Sequence, residues 1–285
     1  MSTDLVNNTG VPADESLSIG ADDRITRRAS GRRRHALPPG LLRLIGPLLV
    51  LAVWWTLSAT GILDEHLMPA PGTVVQAAIE LIASGSLQQH LLVSLARAMS
   101  GLAIGVGVGV VLALVTGLSR VGEVLLDSNI QMLRAMPILA LMPLAIVWLG
   151  IGEELKVTLV ALAVMFPIYL NTHAGIRSVD ARYIDLARTV GLGRFATIRR
   201  IVLPGALAGF FTGLRFSVAI AWLVLVVSEQ VNAASGIGYL MTQARSIGRI
   251  DIIVVGLVIY ATLGLLSDGI VRVIEGRALQ WRSTL

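Results

Sequence analysis

Cysteine is absent from the 285 residues, which excludes a disulfide scaffold, a thiol nucleophile and any cysteine metal site. Charge is scarce, at 14% Asp, Glu, Lys and Arg, against about 25% in an ordinary soluble domain. Aromatic residues make up only 5%. Lysine occurs once, as Lys156, and Leu155 precedes it, so the chain has no G-x-x-x-x-G-K-[ST] loop to cradle nucleotide phosphates. His35, His66, His90 and His173 form no pair at helical ligand spacing, and no nucleophile stands beside a base. Neither a catalytic residue nor a metal ligand is expected.

Apolar residues supply 55% of the chain, in long runs of Leu, Val, Ile, Ala and Gly. The net charge of +5 would suit a nucleic-acid binder, but these runs fit a bilayer-spanning protein far better. Six segments can each cross a hydrocarbon core of ~30 Å at ~1.5 Å per residue. They are Leu41–Ala59, Leu91–Leu118, Val124–Trp148, Leu155–Thr172, Gly205–Ser228 and Ile252–Val273. The expected fold class is therefore all-α, a polytopic membrane protein with six transmembrane helices.

Residues 1–40 differ in composition from the rest of the chain. Five acidic residues precede Arg24, Arg27, Arg28, Arg32, Arg33 and Arg34, no apolar periodicity appears, and Pro38-Pro39-Gly40 closes the stretch. Such a segment is expected to be a disordered tail ahead of a membrane domain at 41–285. Leu41–Ala59 is longer than a signal-peptide core and reads as an uncleaved first span. Between the first two spans, Pro71 or Thr73 can start a short helix, Val74–Ala83, lying at the membrane surface.

Basic residues set the orientation. With the N-terminus inside, Lys156, Arg245 and Arg249 fall outside, Arg97, Arg134 and Arg215 fall within spans, and every other basic residue is cytoplasmic. That asymmetry favours cytoplasmic N- and C-termini.

Three local patterns stand out. Gly101, Gly105, Gly109, Ala113 and Gly117 recur every fourth residue and put a small-residue face on the second span, for ordinary packing or for a contact that slides. Pro137 and Pro143 should each kink the third span, either lining a pathway or shaping packing. The loop at about 173–203 is basic yet not low-complexity. In it Asp180 can cap a helix with Tyr183, Leu186, Ala187 and Val190 on one face, and Gly191 suits the left-handed position that ends it. A second short helix is expected at Arg194–Val202, before Pro204 opens the next span. Two amphipathic helices hinged at Gly191-Leu192-Gly193 need a surface to bury against. That surface could be a protein partner or the lipid headgroups; a helix-turn-helix for DNA is disfavoured by the two flanking spans.

Asp185-Leu186-Ala187-Arg188, Gly191 and Ile201-Val202-Leu203-Pro204 resemble the EAA-x3-G-x9-I-x-L-P signature of ABC importer permeases. The family's first Glu is Asp185 here and its second Ala is Arg188. Gln131 to Pro137, Phe166 to Thr172, Trp222 to Glu229 and Gly236 to Leu240 look like the aliphatic sulfonate, taurine and nitrate branch, most of all its aliphatic-sulfonate members. The resemblance implies a type I ABC importer permease fold in a bacterial plasma membrane. Its coupling loop, carried by Asp185, Ala187, Arg188, Gly191, Leu203 and Pro204, would dock into a cytoplasmic ATPase. It further implies two copies of the permease, two ATP-binding cassette subunits that bind the ATP and Mg, and an extracytoplasmic substrate-binding protein. No cofactor is then held by this chain, and nucleic acid is no partner.

Polar groups inside spans cost several kcal/mol unless satisfied and are functional candidates by default. Arg134 is the first candidate for lining the path of an anion, with a pair to Asp127 as the structural alternative. Arg215 is either a gate charge or a buried structural group, and Arg97 reads as an interface anchor. By resemblance, Glu229 belongs to an outer gate and Asn171 lies toward the inner end of its span. Related solutes (nitrate, bicarbonate, a pyrimidine precursor) stay open, as does an ATP-independent secondary carrier, which would have to find its coupling-ion site among few acids such as Asp127 and Asp268.

Overall fold

The computed structural model describes residues 39–62, 64, 67–231 and 233–281. The expected tail therefore lies almost wholly outside the described residues. The chain divides into two units, Met1–Val50 and Leu51–Leu285. Within the first, the described residues form the leading part of helix α1, Pro39–Ala59.

The second unit is helical throughout its described elements. After α1 come α2, Pro71–Ala83, and α3, Ser86–Leu118. Next is a broken pair, α4 at Arg120–Ala135 and α5 at Ile138–Leu149. Then come α6, Glu153–Arg177, and the loop helix α7, Ala181–Thr189. The chain continues through α8, Arg194–Gln230, to α9, Ile237–Ser246, and α10, Ile250–Ala278. Among the described residues, α3, α6, α8 and α10 are long and apolar enough to cross a membrane; the bent pair is either a fifth, broken span or a re-entrant loop. The sixth expected span falls on α1, whose described side chains begin only at Ile45.

Helix α6 is the axis of the packing, with more than half of its apolar stretch buried inside the protein. The small-residue stripe explains its contact with α3. A Cβ added at Gly101 would stand 2.6 Å from Val160 Cγ1, one at Gly105 2.5 Å from the Ala161 carbonyl, and one at Gly109 2.8 Å from Ile168 Cγ2. Only hydrogen fits there, so the two backbones approach closely, as small residues allow inside a bilayer. The other side of α6 repeats the device. A Cβ at Gly213 would meet the Pro167 carbonyl at 2.7 Å and one at Gly175 the Ala206 carbonyl at 3.0 Å. Val160, Val164 and Ile168 of α6 thus share one core with Phe211, Val218 and Leu225 of α8.

Two expectations change. Pro137 does more than kink its span: the pair α4–α5 is bent by 88° at this point. Met136, just before it, is extended at φ −82° and ψ 131°, the conformation a proline imposes on the residue ahead of it. Pro143 produces no kink. It is the second residue of the α-helical run Met142–Leu149, where a missing N–H costs nothing. Helix α2 begins at Pro71 as expected; it buries Val74 and Ala77 against Leu240, Ala244 and Val255 of α9 and α10, while Val75, Ile79 and Ile82 stay exposed.

Candidate functional site

The loop between α6 and α8 is built as its residues dictate. Asp180 caps α7, accepting a hydrogen bond from the Arg182 backbone N–H at 2.9 Å. Gly191 sits at φ +74°, and the Leu192 N–H closes the helix end on the Ala187 carbonyl at 2.9 Å. Ala187 is buried, whereas Tyr183, Leu186 and Val190 stay 59–65% exposed and Phe195 reaches 77%. Positions 183, 186 and 190 share one face of a helix, so this is an apolar face with nothing against it among the described residues. Arg188 pairs with Asp185 on the solvent side at 3.2 Å. The two residues that depart from the signature therefore face outward, and the small residue it retains, Ala187, faces in.

The expected second loop helix is not separate. Arg194 begins a helix that runs to Gln230 without interruption, widening to a π-helical turn at Ile198–Val202. Pro204 lacks the N–H that would bond the Arg200 carbonyl, and the wide turn absorbs that gap. Leu203 and Pro204 are thus the first residues of a span already under way. Arg194 donates to the Leu118 carbonyl at the end of α3, and Arg177 pairs with Glu123 at 2.5 Å, fastening the loop to α3 and α4.

The pathway candidates are dispersed. Arg134 is exposed two residues before the break and has no partner among the described residues. It does not pair with Asp127, whose carboxylate accepts from Tyr169 Oη at 2.6 Å. Arg215 is half-buried between Asp268 at 3.4 Å and Glu275 at 3.7 Å, in keeping with a structural role. Asn171 bonds the Pro167 carbonyl at 2.9 Å and sits at the crossing of α6 with α8.

At the end of the bundle opposite the loop, the structure assembles a polar cluster that sequence reasoning missed. Arg97 is no interface anchor; its side chain is 3% exposed. Its Nη1 meets Glu229 Oε1 at 2.8 Å, and Nε and Nη2 fork onto Glu153 at 2.5 and 2.6 Å. Glu229 faces inward, with its side chain fully buried. It accepts from Ser94 Oγ at 2.8 Å, the Gly238 N–H at 2.9 Å and Tyr260 Oη at 2.9 Å as well. The N-terminus of α9 is capped entirely from outside itself. His90 Nδ1 accepts from the Gly236 N–H, Ser94 Oγ from the Ile237 N–H, and Glu229 from the Gly238 N–H. These contacts satisfy donors that a helix start otherwise leaves orphaned. The signal available in sequence was two opposite charges, Arg97 and Glu229, at matching depth in antiparallel spans.

Comparison with known proteins gives a consistent picture. The family model described as binding-protein-dependent transport system inner membrane component matches residues 105–280. The putative aliphatic sulfonates transport permease protein SsuC of Escherichia coli is 46% identical, over 82% of this chain and 89% of that protein. Its namesake in Bacillus subtilis is 38% identical over 90% and 92%. The taurine transport system permease protein TauC of Escherichia coli is 32% identical over 83% and 88%. A chain in the crystal structure of an amino acid ABC transporter superposes with a TM-score of 0.59 at 18% identity, covering 71% of this chain and 96% of that one.

Proposed function

We propose a function that proceeds from one premise: the chain belongs to the family of binding-protein-dependent transport system inner membrane components. It is a multi-pass inner membrane protein and a permease subunit of an ABC transporter; ATP hydrolysis is the work of a partner ATPase, and the chain itself is no enzyme. On our reading its solute is a small organic anion, an aliphatic sulfonate with taurine as the nearest alternative, because the relatives that carry those names align along most of its length.

The observation that carries the mechanism is the uncovered apolar face of Tyr183, Leu186 and Val190, with Phe195 across the Gly191 turn. We read it as the docking surface for the ATPase. Helix α8 makes the coupling direct: it starts at Arg194 beside that surface and ends at Gln230 beside the polar cluster. A displacement at the docking end moves a rigid span, a rigid-body route to switching access. Two permease copies then meet two ATP-binding cassette subunits, which hold the ATP and Mg, while an extracytoplasmic binding protein delivers the solute. With α1 as the first of six spans, both termini are cytoplasmic, and the loop and its arginines lie inside. Arg134, unpaired beside the Pro137 break, is our choice for lining the path.

Two measurements test this. Burying a leucine is worth about 1.5–3 kcal/mol, so Leu186→Glu should weaken copurification with the ATPase at least tenfold and lower ATP-driven uptake in proteoliposomes to match. Unchanged copurification would remove the docking assignment. For the solute, a thermal-shift screen of the cognate binding protein with alkanesulfonates, taurine and nitrate should respond to the sulfonates; a response to nitrate alone overturns that part.

A further inference from the structure

Lys156, the one lysine of the chain, lies in the first turn of α6 with its side chain only 3% exposed. Its ammonium donates to the Gly152 carbonyl at 3.1 Å and stands 3.5 Å from Glu153 Oε1. The equally buried Arg97 sets two nitrogens on that same carboxylate. Two buried cations therefore converge on one anion, and that anion is the exposed member of the cluster: the Glu153 side chain is 63% exposed, that of Glu229 0%.

The charge balance is uneven. Glu229 neutralises Arg97 from below and is otherwise claimed by Ser94, Gly238 and Tyr260. Among the described residues, the second positive charge is answered by Glu153 alone. An unanswered buried cation is costly, so something anionic must sit there. An exposed carboxylate loses little on returning to water. The guanidinium fork accepts any oxyanion that presents two oxygens side by side, sulfonate as well as carboxylate. The position is also the start of a 25-residue helix, where the helix dipole favours negative charge.

We propose that Arg97 and Lys156 form an anion site for the transported solute, and that Glu153 is its internal occupant, displaced when the sulfonate arrives. The proposal rests on the anionic-solute reading above. Exchanging one single negative charge for another leaves the cluster neutral, so neither buried cation is stranded. Because Glu153 is exposed, the place it fills is open to solution on that face. The displaced carboxylate is then free to meet the ammonium of an aminoalkanesulfonate, which gives the site a reason to accept zwitterions.

The test is calorimetric titration of ethanesulfonate into the full-length permease in nanodiscs. Glu153→Gln removes the internal competitor and should bind ethanesulfonate at least tenfold more tightly than the unmodified protein. Adding Lys156→Met to that variant should abolish binding. Should Glu153→Gln fail to fold, Glu153→Asp keeps the charge, shortens its reach and should tighten binding by a smaller factor. No tightening in a folded variant, or tight binding that survives Lys156→Met, overturns the proposal. Binding of nitrate or bicarbonate but not ethanesulfonate by Glu153→Gln upholds the anion site and removes the sulfonate reading. Sulfonate uptake by the intact transporter with an unchanged KM in Lys156→Met does the reverse.

Discussion

Replacing Glu229 by Gln isolates what holds the end of the bundle opposite the loop together. The side chain keeps its size and loses its charge. In the structure the carboxylate receives Ser94 Oγ, Arg97 Nη1, the Gly238 N–H and Tyr260 Oη. A glutamine has one acceptor oxygen with two lone pairs, and its NH2 group can donate only to the two hydroxyls, Ser94 and Tyr260, which accept as well as donate. The oxygen serves at most two of the four present donors, and the Arg97 guanidinium loses its counter-charge on this side. Breaking a buried ion pair from one side costs about 3–5 kcal/mol. Arg97 retains its fork on Glu153, so the lower end applies, about 3 kcal/mol. The assay is denaturant or thermal unfolding of the purified permease, paired with amide exchange at Gly238. Exchange there should accelerate more than in the middle of α6, because Glu229 caps α9 directly. A loss below about 1 kcal/mol, well under the cost of a broken buried pair, together with unchanged protection at Gly238, would falsify the reading of Glu229 as the keystone of this cluster.

The same geometry sets further outcomes. Gly105→Ala puts a methyl 2.5 Å from the Ala161 carbonyl, whereas Gly107→Ala meets nothing within 4 Å; the first should cost about 1–3 kcal/mol by overpacking and the second should be silent, and equal melting temperatures would refute the close-approach argument. Asp180→Ala removes the cap on α7 and should cost that helix about 1 kcal/mol, read as faster exchange of the Arg182 amide. Pro143→Ala should leave stability within about 0.5 kcal/mol, as for a site outside the usual destabilising mechanisms; a large loss would mean that the ring itself shapes the start of the run Met142–Leu149.

Much of the fold is legible in the sequence because the bilayer allows few solutions. Apolar length locates α3, α6, α8 and α10, and period-four glycines identify the face on which α3 meets α6. The Asp180 cap and the Gly191 turn are equally plain, since both depend on chemistry within a few residues. Pro137 reads as a kink and is in fact an 88° break, because its extent depends on what the freed chain packs against. The candidate site divides in the same way. The exposed face of α7 follows from local periodicity, whereas the Arg97, Glu153, Lys156 and Glu229 cluster joins residues up to 132 positions apart.

By itself the sequence determined that this chain is built to span a membrane and carries an amphipathic loop helix, properties that rest on composition and local spacing. That ATP is hydrolysed by a partner follows from the family the chain belongs to. Only the tertiary structure decided which charges meet. It turned Arg97 from an anchor at the interface into the centre of a buried network, and it set the one lysine, buried, beside the carboxylate that Arg97 also holds. The physical reason is the low dielectric of the packed interior. There a charge is tolerated only beside its counterion, and the counterion is chosen by how the helices pack.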